Sequence, residues 1–150
     1  MNLRRSIRRG TSVAVGGAIG ASLRHGCSLA TTTLGGGEAT WLLVVNLMGA
    51  FAMGVVFTFL DPRSPRIIDV ELSPSDLQPD SRHDLMGAFL AVGLLGSFTT
   101  YSALAVLLLE HLQEGAIMEA GVMLGGFLVG GLAMVALGVK TGRRWRATSS

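Results

Sequence analysis

The sequence predicts an all-α membrane protein of four transmembrane helices, and three observations predict it. Hydrophobic residues make up 49% of the chain, with a mean hydropathy of +0.53. Charged residues are only 15%, against roughly 25% in soluble domains. The apolar residues are also gathered into four segments close to the roughly 20 residues that span a bilayer.

The first segment, about 11–30, follows Arg4, Arg5, Arg8 and Arg9. A basic start and an apolar run resemble a cleaved leader. Arg24 and His25 interrupt this run, however, and three more apolar segments follow, so an uncleaved first membrane helix is the better reading. Gly35–Gly37 reads as a turn. The second segment, 39–60, carries no charge. The stretch 61–84 holds all four prolines (Pro62, Pro65, Pro74, Pro79) and most of the acidic residues, and reads as a polar connector. The third segment, 85–109, is again uncharged. The fourth, about 116–139, is rich in Gly, with Glu119 at its entrance beside the preceding loop. All four form one domain spanning 1–150. Cys27 is the only cysteine, which excludes an intrachain disulfide.

Four crossings put both termini and the 61–84 loop on one side. That side holds eleven of the twelve basic residues, the exception being Arg24, while Glu38, Glu110, Glu114 and Glu119 sit opposite. Lys and Arg favour the cytoplasmic side, so both termini are expected in the cytoplasm of a multi-pass protein of the cell membrane. The net charge of +2 is too small to suggest nucleic acid as a partner.

Three features interrupt the apolar pattern. Gly93-Leu-Leu-Gly96-Ser97-Phe98-Thr99-Thr100-Tyr101-Ser102 puts two Gly and four hydroxyl groups in the middle of the third segment. Lipid supplies no hydrogen bonds, so a helix break at this depth is tolerated only against protein or a water-filled cavity. Broken helices expose half-helix ends that can hold ions. Small residues also permit close helix packing, and the density of hydroxyls at one level favours the ion site. Asn46, inside an uncharged span, must find polar partners. It can bond to a neighbouring helix or offer its amide to an anion. Arg24 is costly within a membrane segment, and snorkelling to the interface or a structural contact fits it better than direct contact with an ion.

Taken together these residues resemble the Fluc/CrcB-type fluoride channel family. Gly16-Gly17-Ala18-Ile19-Gly20-Ala21-Ser22-Leu23-Arg24 is similar to that family's Gly-rich first helix ending in Arg. Val45-Asn46-Leu47-Met48-Gly49-Ala50-Phe51 is similar to its VNxxGSF motif, with Ala50 in place of Ser. The Gly93–Leu104 stretch is similar to its GxxGxxTTFSTF motif. The resemblance covers all four segments in order and leaves out only the Pro-rich loop and the basic tails.

The resemblance implies an antiparallel dimer with two fluoride pathways and a central structural sodium ion. Carried over, the carbonyls that hold sodium belong to Gly96 and Thr99. The ion pathway is Asn46, Thr100, Tyr101, Ser102 and Leu104, with Arg24 at a vestibule. Tyr101 and Leu104 replace the family's two pore phenylalanines, and Gly121 to Val139 contains no Ser, Thr, Asn or Gln. Fluoride is small and strongly hydrated, so a selective path must replace its water with amide, hydroxyl or ring-edge donors. The charge bias adds an expectation of its own. An antiparallel homodimer needs one sequence to insert both ways, and eleven basic residues on one side oppose that. A heterodimer with a homologous subunit of reverse bias is therefore favoured over a homodimer.

Two other readings remain open. A small four-helix multidrug or cation exporter would need a titratable carboxylate within the membrane. A mainly structural subunit would complete a partner's pore without conducting well itself. No nucleophile–base set or metal-ligand cluster suggests an enzyme.

Overall fold

The computed structural model describes residues 3–60 and 85–148. The 61–84 connector and the extreme termini lie outside the described residues, so the reading of that connector is not taken further. Among the described residues all regular structure is helical: α1 (Leu3–Thr33), α2 (Glu38–Leu60), α3 (Ala88–Leu95), α4 (Gly96–Phe98), α5 (Ser102–Gln113) and α6 (Ile117–Thr148). Of these, α3 is π-helical, and α3, α4 and α5 follow one another along a single rod. Three stretches are long and apolar enough to cross a membrane: Glu38–Leu60, Leu85–Gln113 and Ile117–Thr148. The first rod, α1, is longer still but falls short in apolarity, because Arg24, His25 and several Ser, Thr and Gly dilute it.

Helix bounds overrun the apolar segments. The first segment is 11–30, yet α1 starts at Leu3 and ends at Thr33; the fourth is 116–139, yet α6 continues to Thr148. Helical hydrogen bonds do not require apolar side chains, so a membrane helix can extend into its charged flanks. In the last turn of α6, Arg146 also complements the negative end of the helix dipole. At the start of α1 the arginines oppose the dipole, so helix stability does not explain their position.

Both tight turns close in the same way. Gly35 and Gly115 each take φ +78°, the left-handed conformation that favours glycine. Gly36 N–H donates to Thr31 O and Gly35 N–H to Thr32 O; Ala116 N–H donates to His111 O and Gly115 N–H to Leu112 O. Each set is a Schellman closure that satisfies the last carbonyls of the preceding helix. Glu38 then opens α2 where a negative charge suits the helix start.

Glycine contacts set the directions of the rods. A Cβ added at Gly16 would meet Phe89 O and Leu94 N, and one at Gly20 would meet Leu94 O and Phe98 N, so α1 and α3–α4 run parallel. Likewise Gly54 and Gly138 bring α2 and α6 backbone to backbone, and Gly142 lies on Thr58 one turn further on, so α2 and α6 also run parallel. Combined with the two tight turns, this makes an up-down-up-down arrangement. The arginines of α1 and the basic end of α6 therefore share one end of the bundle. At that end Arg146 Nη1 donates to Thr58 O at 3.0 Å, and Trp145 packs edge-on against Phe59 with ring centroids 6.4 Å apart. Lipid gives helices no hydrophobic reason to associate, and close glycine contact supplies dispersion and Cα–H···O interactions instead.

Candidate functional site

The site begins where helical geometry stops. After Phe98 the chain turns extended at Thr99 (φ −78°, ψ 157°), and α5 resumes at Ser102. The preceding π-helical stretch leads into this point: Gly96 N–H reaches back to Ala91 O as well as Gly93 O. π-Turns are rare and concentrate at functional sites. Gly93 within it crosses Gly16 backbone to backbone, holding the stretch hard against α1.

Three side chains take over the bonding that the helix gives up. Asn46 Oδ1 accepts from Thr100 N–H at 3.0 Å, and Asn46 Nδ2 donates to Thr100 O at 3.1 Å and to Leu42 O at 2.9 Å. The amide thus clamps one residue of the interruption through both of its main-chain groups, and both amide hydrogens go to carbonyls. Thr100 Oγ1 accepts from Ala103 N–H at 3.3 Å and lies 3.3 Å from Ser102 Oγ, capping the start of α5. Thr99 Oγ1 donates to Leu95 O at 3.0 Å, alongside the Thr99 N–H, at the end of the preceding half. Among the described residues no buried side-chain polar atom lacks a partner.

Packing explains why the interruption sits where it does. Asn46 and Gly49 are three residues apart and share a face of α2. A Cβ at Gly49 would collide with the Thr99 methyl group, so this glycine makes room for Thr99 while Asn46, one turn earlier, reaches Thr100. Leu42 and Val45 are completely buried on the same stretch of α2, and Phe98 and Thr100 are buried opposite.

Of the residues singled out in the sequence, Asn46, Gly96, Thr99, Thr100 and Ser102 come together here. Tyr101 turns outward and is 77% exposed, whereas Leu104 is buried in the core at 6%. Arg24 is half-buried, one turn beyond Gly20 and so just past the level of Phe98. It also lies nine residues before the end of α1, about 13 Å along the axis. The sequence left two uses open for Asn46, and the interhelical bond is present. Gly49 as the socket for Thr99, the Thr100 hydroxyl as a cap and the π-helical stretch were missed. The i, i+3 spacing of Asn46 and Gly49 was the available signal for the first of these; nothing in the residue pattern announces the π-turns.

Chemically, the end of α4 presents main-chain carbonyls. Residues 96–99 form a last turn whose carbonyls, among the described residues, receive no helix-continuing bond from residues 100–103. A half-helix C-terminus is a site of partial negative charge. Among the described residues no group of His, Cys, Asp or Glu gathers to hold a metal, so oxygen from the main chain and hydroxyls is the donor set available here.

Comparison with known proteins places the chain in a family. Residues 11–139 match the family model described as CrcB-like protein, Camphor Resistance (CrcB). The chain is 36% identical over 129 residues to the fluoride-specific ion channel FluC of Aeromonas salmonicida, covering 85% of this chain and 90% of that protein. It is 35% identical over 133 residues to the fluoride-specific ion channel FluC of Hyphomonas neptunium, covering 88% and 93%. It is also 31% identical over 135 residues to the protein of the same name from Hydrogenovibrio crunogenus, covering 89% and 90%.

Proposed function

This chain belongs to the CrcB-like protein family, and on that premise we propose that it is a fluoride-specific ion channel that lets fluoride leave the cell passively. It is a channel and not an enzyme. The observation that carries the reading is the interrupted rod clamped by Asn46, which brings main-chain carbonyls, hydroxyls and an amide together in otherwise apolar helices. In the membrane, α1, α2, the α3–α5 rod and α6 each cross once, and the third crossing is a broken helix.

Two such subunits pair in opposite orientations. The break of each then faces the dimer centre, where the carbonyls of Gly96 and Thr99 hold a structural sodium ion. The fit is supported by an all-oxygen donor set at a half-helix C-terminus, which suits a hard cation. When bound, the ion supplies positive charge that ties the two breaks together and raises the potential for anions nearby. Thr100, Tyr101, Ser102, Leu104 and Asn46 border the fluoride path, with Arg24 at its vestibule. Tyr101, being exposed in the protomer, lies where it can serve a path between subunits.

The partner is a homologous subunit rather than a second copy. At least eight basic residues lie at one end of the bundle, in the first turns of α1 and the last turns of α6, and this bias selects one orientation with both termini cytoplasmic. Leu104, buried and without a ring edge, and a fourth helix lacking Ser, Thr, Asn and Gln from Gly121 to Val139 favour a subunit that completes its partner's pathway. The test is flux. Liposomes containing the purified dimer should lose fluoride and retain chloride without any proton gradient. Equal chloride flux, or a requirement for a proton gradient, would refute the channel reading.

A further inference from the structure

A continuous α-helix through this region would have Thr100 N–H donating to Gly96 O and Ala103 N–H donating to Thr99 O, each four residues back. Neither bond forms. Thr100 N–H goes to Asn46 Oδ1 and Ala103 N–H to Thr100 Oγ1. Two side chains therefore capture the donors that would otherwise occupy the carbonyls of Gly96 and Thr99. The neighbouring carbonyls of Ser97 and Phe98 differ: their helical donors, the N–H groups of Tyr101 and Ser102, are held by no side chain among the described residues.

We infer that Asn46 and the Thr100 hydroxyl are positioning residues for the cation site, acting by keeping the Gly96 and Thr99 carbonyls free. This rests on the reading that those two carbonyls hold the cation. Asn46 does so from another helix. Its amide binds both main-chain groups of Thr100, so the break cannot re-form as helix without losing two hydrogen bonds. Its second amide hydrogen is taken by Leu42 O, which fixes the orientation of the group on α2. With all three of these contacts made, the Asn46 amide has no hydrogen left to offer an anion. Its contribution to the site is made through the break. Thr100 acts from within the rod and needs only its oxygen, because the captured donor is a main-chain N–H.

The experiment measures sodium rather than flux. The tagged chain is purified from its own host as the dimer it forms there and dialysed to equilibrium against sodium over a background of N-methyl-D-glucamine chloride. Bound sodium is counted by elemental analysis, with helicity checked by circular dichroism and dimer content by gel filtration. The variants are Asn46→Leu, which removes the clamp, Thr100→Val, which removes the cap at nearly constant shape, and Thr100→Ser, which restores it. The wild-type dimer should hold sodium, Thr100→Ser should match it, Thr100→Val should need roughly ten-fold more sodium for half-occupancy, the scale set by one lost hydrogen bond, and Asn46→Leu, which loses two bonds to the break, should need at least that much more. Folded, dimeric Asn46→Leu and Thr100→Val with wild-type sodium occupancy would overturn the inference and leave the cation site standing. Absence of sodium from the wild-type dimer at every concentration would overturn the cation site and the inference with it. Should Asn46→Leu not fold, Thr100→Val decides, since it leaves α2 untouched.

Discussion

At the scale of the residue, the break is held by a few polar atoms whose loss can be graded. Thr99→Ser keeps the hydroxyl that donates to Leu95 O and the main-chain carbonyl, and gives up only the methyl group seated on Gly49. It should cost no more than about 1 kcal/mol, the scale of one buried methyl group, and leave fluoride flux near wild type. Thr99→Val keeps the methyl and exchanges the hydroxyl for a second one at nearly constant shape, so its difference from wild type in thermal unfolding reads the bond to Leu95 O. Glycine positions separate just as cleanly. A Cβ at Gly96 meets only Ala91 O at 3.6 Å, an ordinary contact, whereas one at Gly93 meets Val13 O, Gly16 Cα at 3.1 Å and Gly17 N at 3.2 Å, all main chain. Gly96→Ala should therefore fold normally, and Gly93→Ala should lose about 1–3 kcal/mol through overpacking, read as a lower melting temperature in detergent.

At the scale of the element, the two parallel helix pairs use glycine for different purposes along one helix. In α6, Gly138 abuts Phe51 O and Val55 N, while Gly125 and Gly131 have nothing within 4 Å in the protomer. Gly138→Ala must push α2 and α6 apart and should lower protomer stability. Gly131→Ala should leave it unchanged or raise it by up to about 1 kcal/mol, the helix-propensity gain of Ala over Gly. Comparison of the two by thermal denaturation tests whether the α2–α6 contact is a backbone-to-backbone one. The same contrast shows why the Gly content of α6 alone did not reveal its packing: nearly all of its most apolar stretch is unburied within the protomer.

At the scale of the whole molecule, the rods gather charge of opposite sign at two ends. The up-down-up-down course of the rods puts the basic starts and ends of the chain together, and Glu38, Glu110 and Glu114 at the opposite end. A tag on the C-terminus should accordingly be reached by a membrane-impermeant label only after the membrane is opened, and fluoride efflux should stay near background when this chain is expressed without a partner of reverse charge bias. Equal labelling from both sides, or strong flux from the chain alone, would indicate a homodimer instead.

The amino-acid order alone was enough to establish the membrane class, the apolar rods and the level at which one of them carries polar groups. These follow from composition and length, which lipid enforces without reference to tertiary contacts. It also announced the importance of Asn46, Thr99 and Thr100, because polar side chains in an apolar span must be satisfied. It could not say how they are satisfied. That Asn46 reaches Thr100 rather than solvent, that Gly49 receives Thr99, and that Leu104 turns inward while Tyr101 turns outward depend on how α2 lies against the interrupted rod. Hydrogen bonds between residues 54 positions apart in the chain have no local signature. Only the tertiary structure decides them, because the partner of a buried amide is set by the crossing of two helices rather than by its own neighbours in sequence.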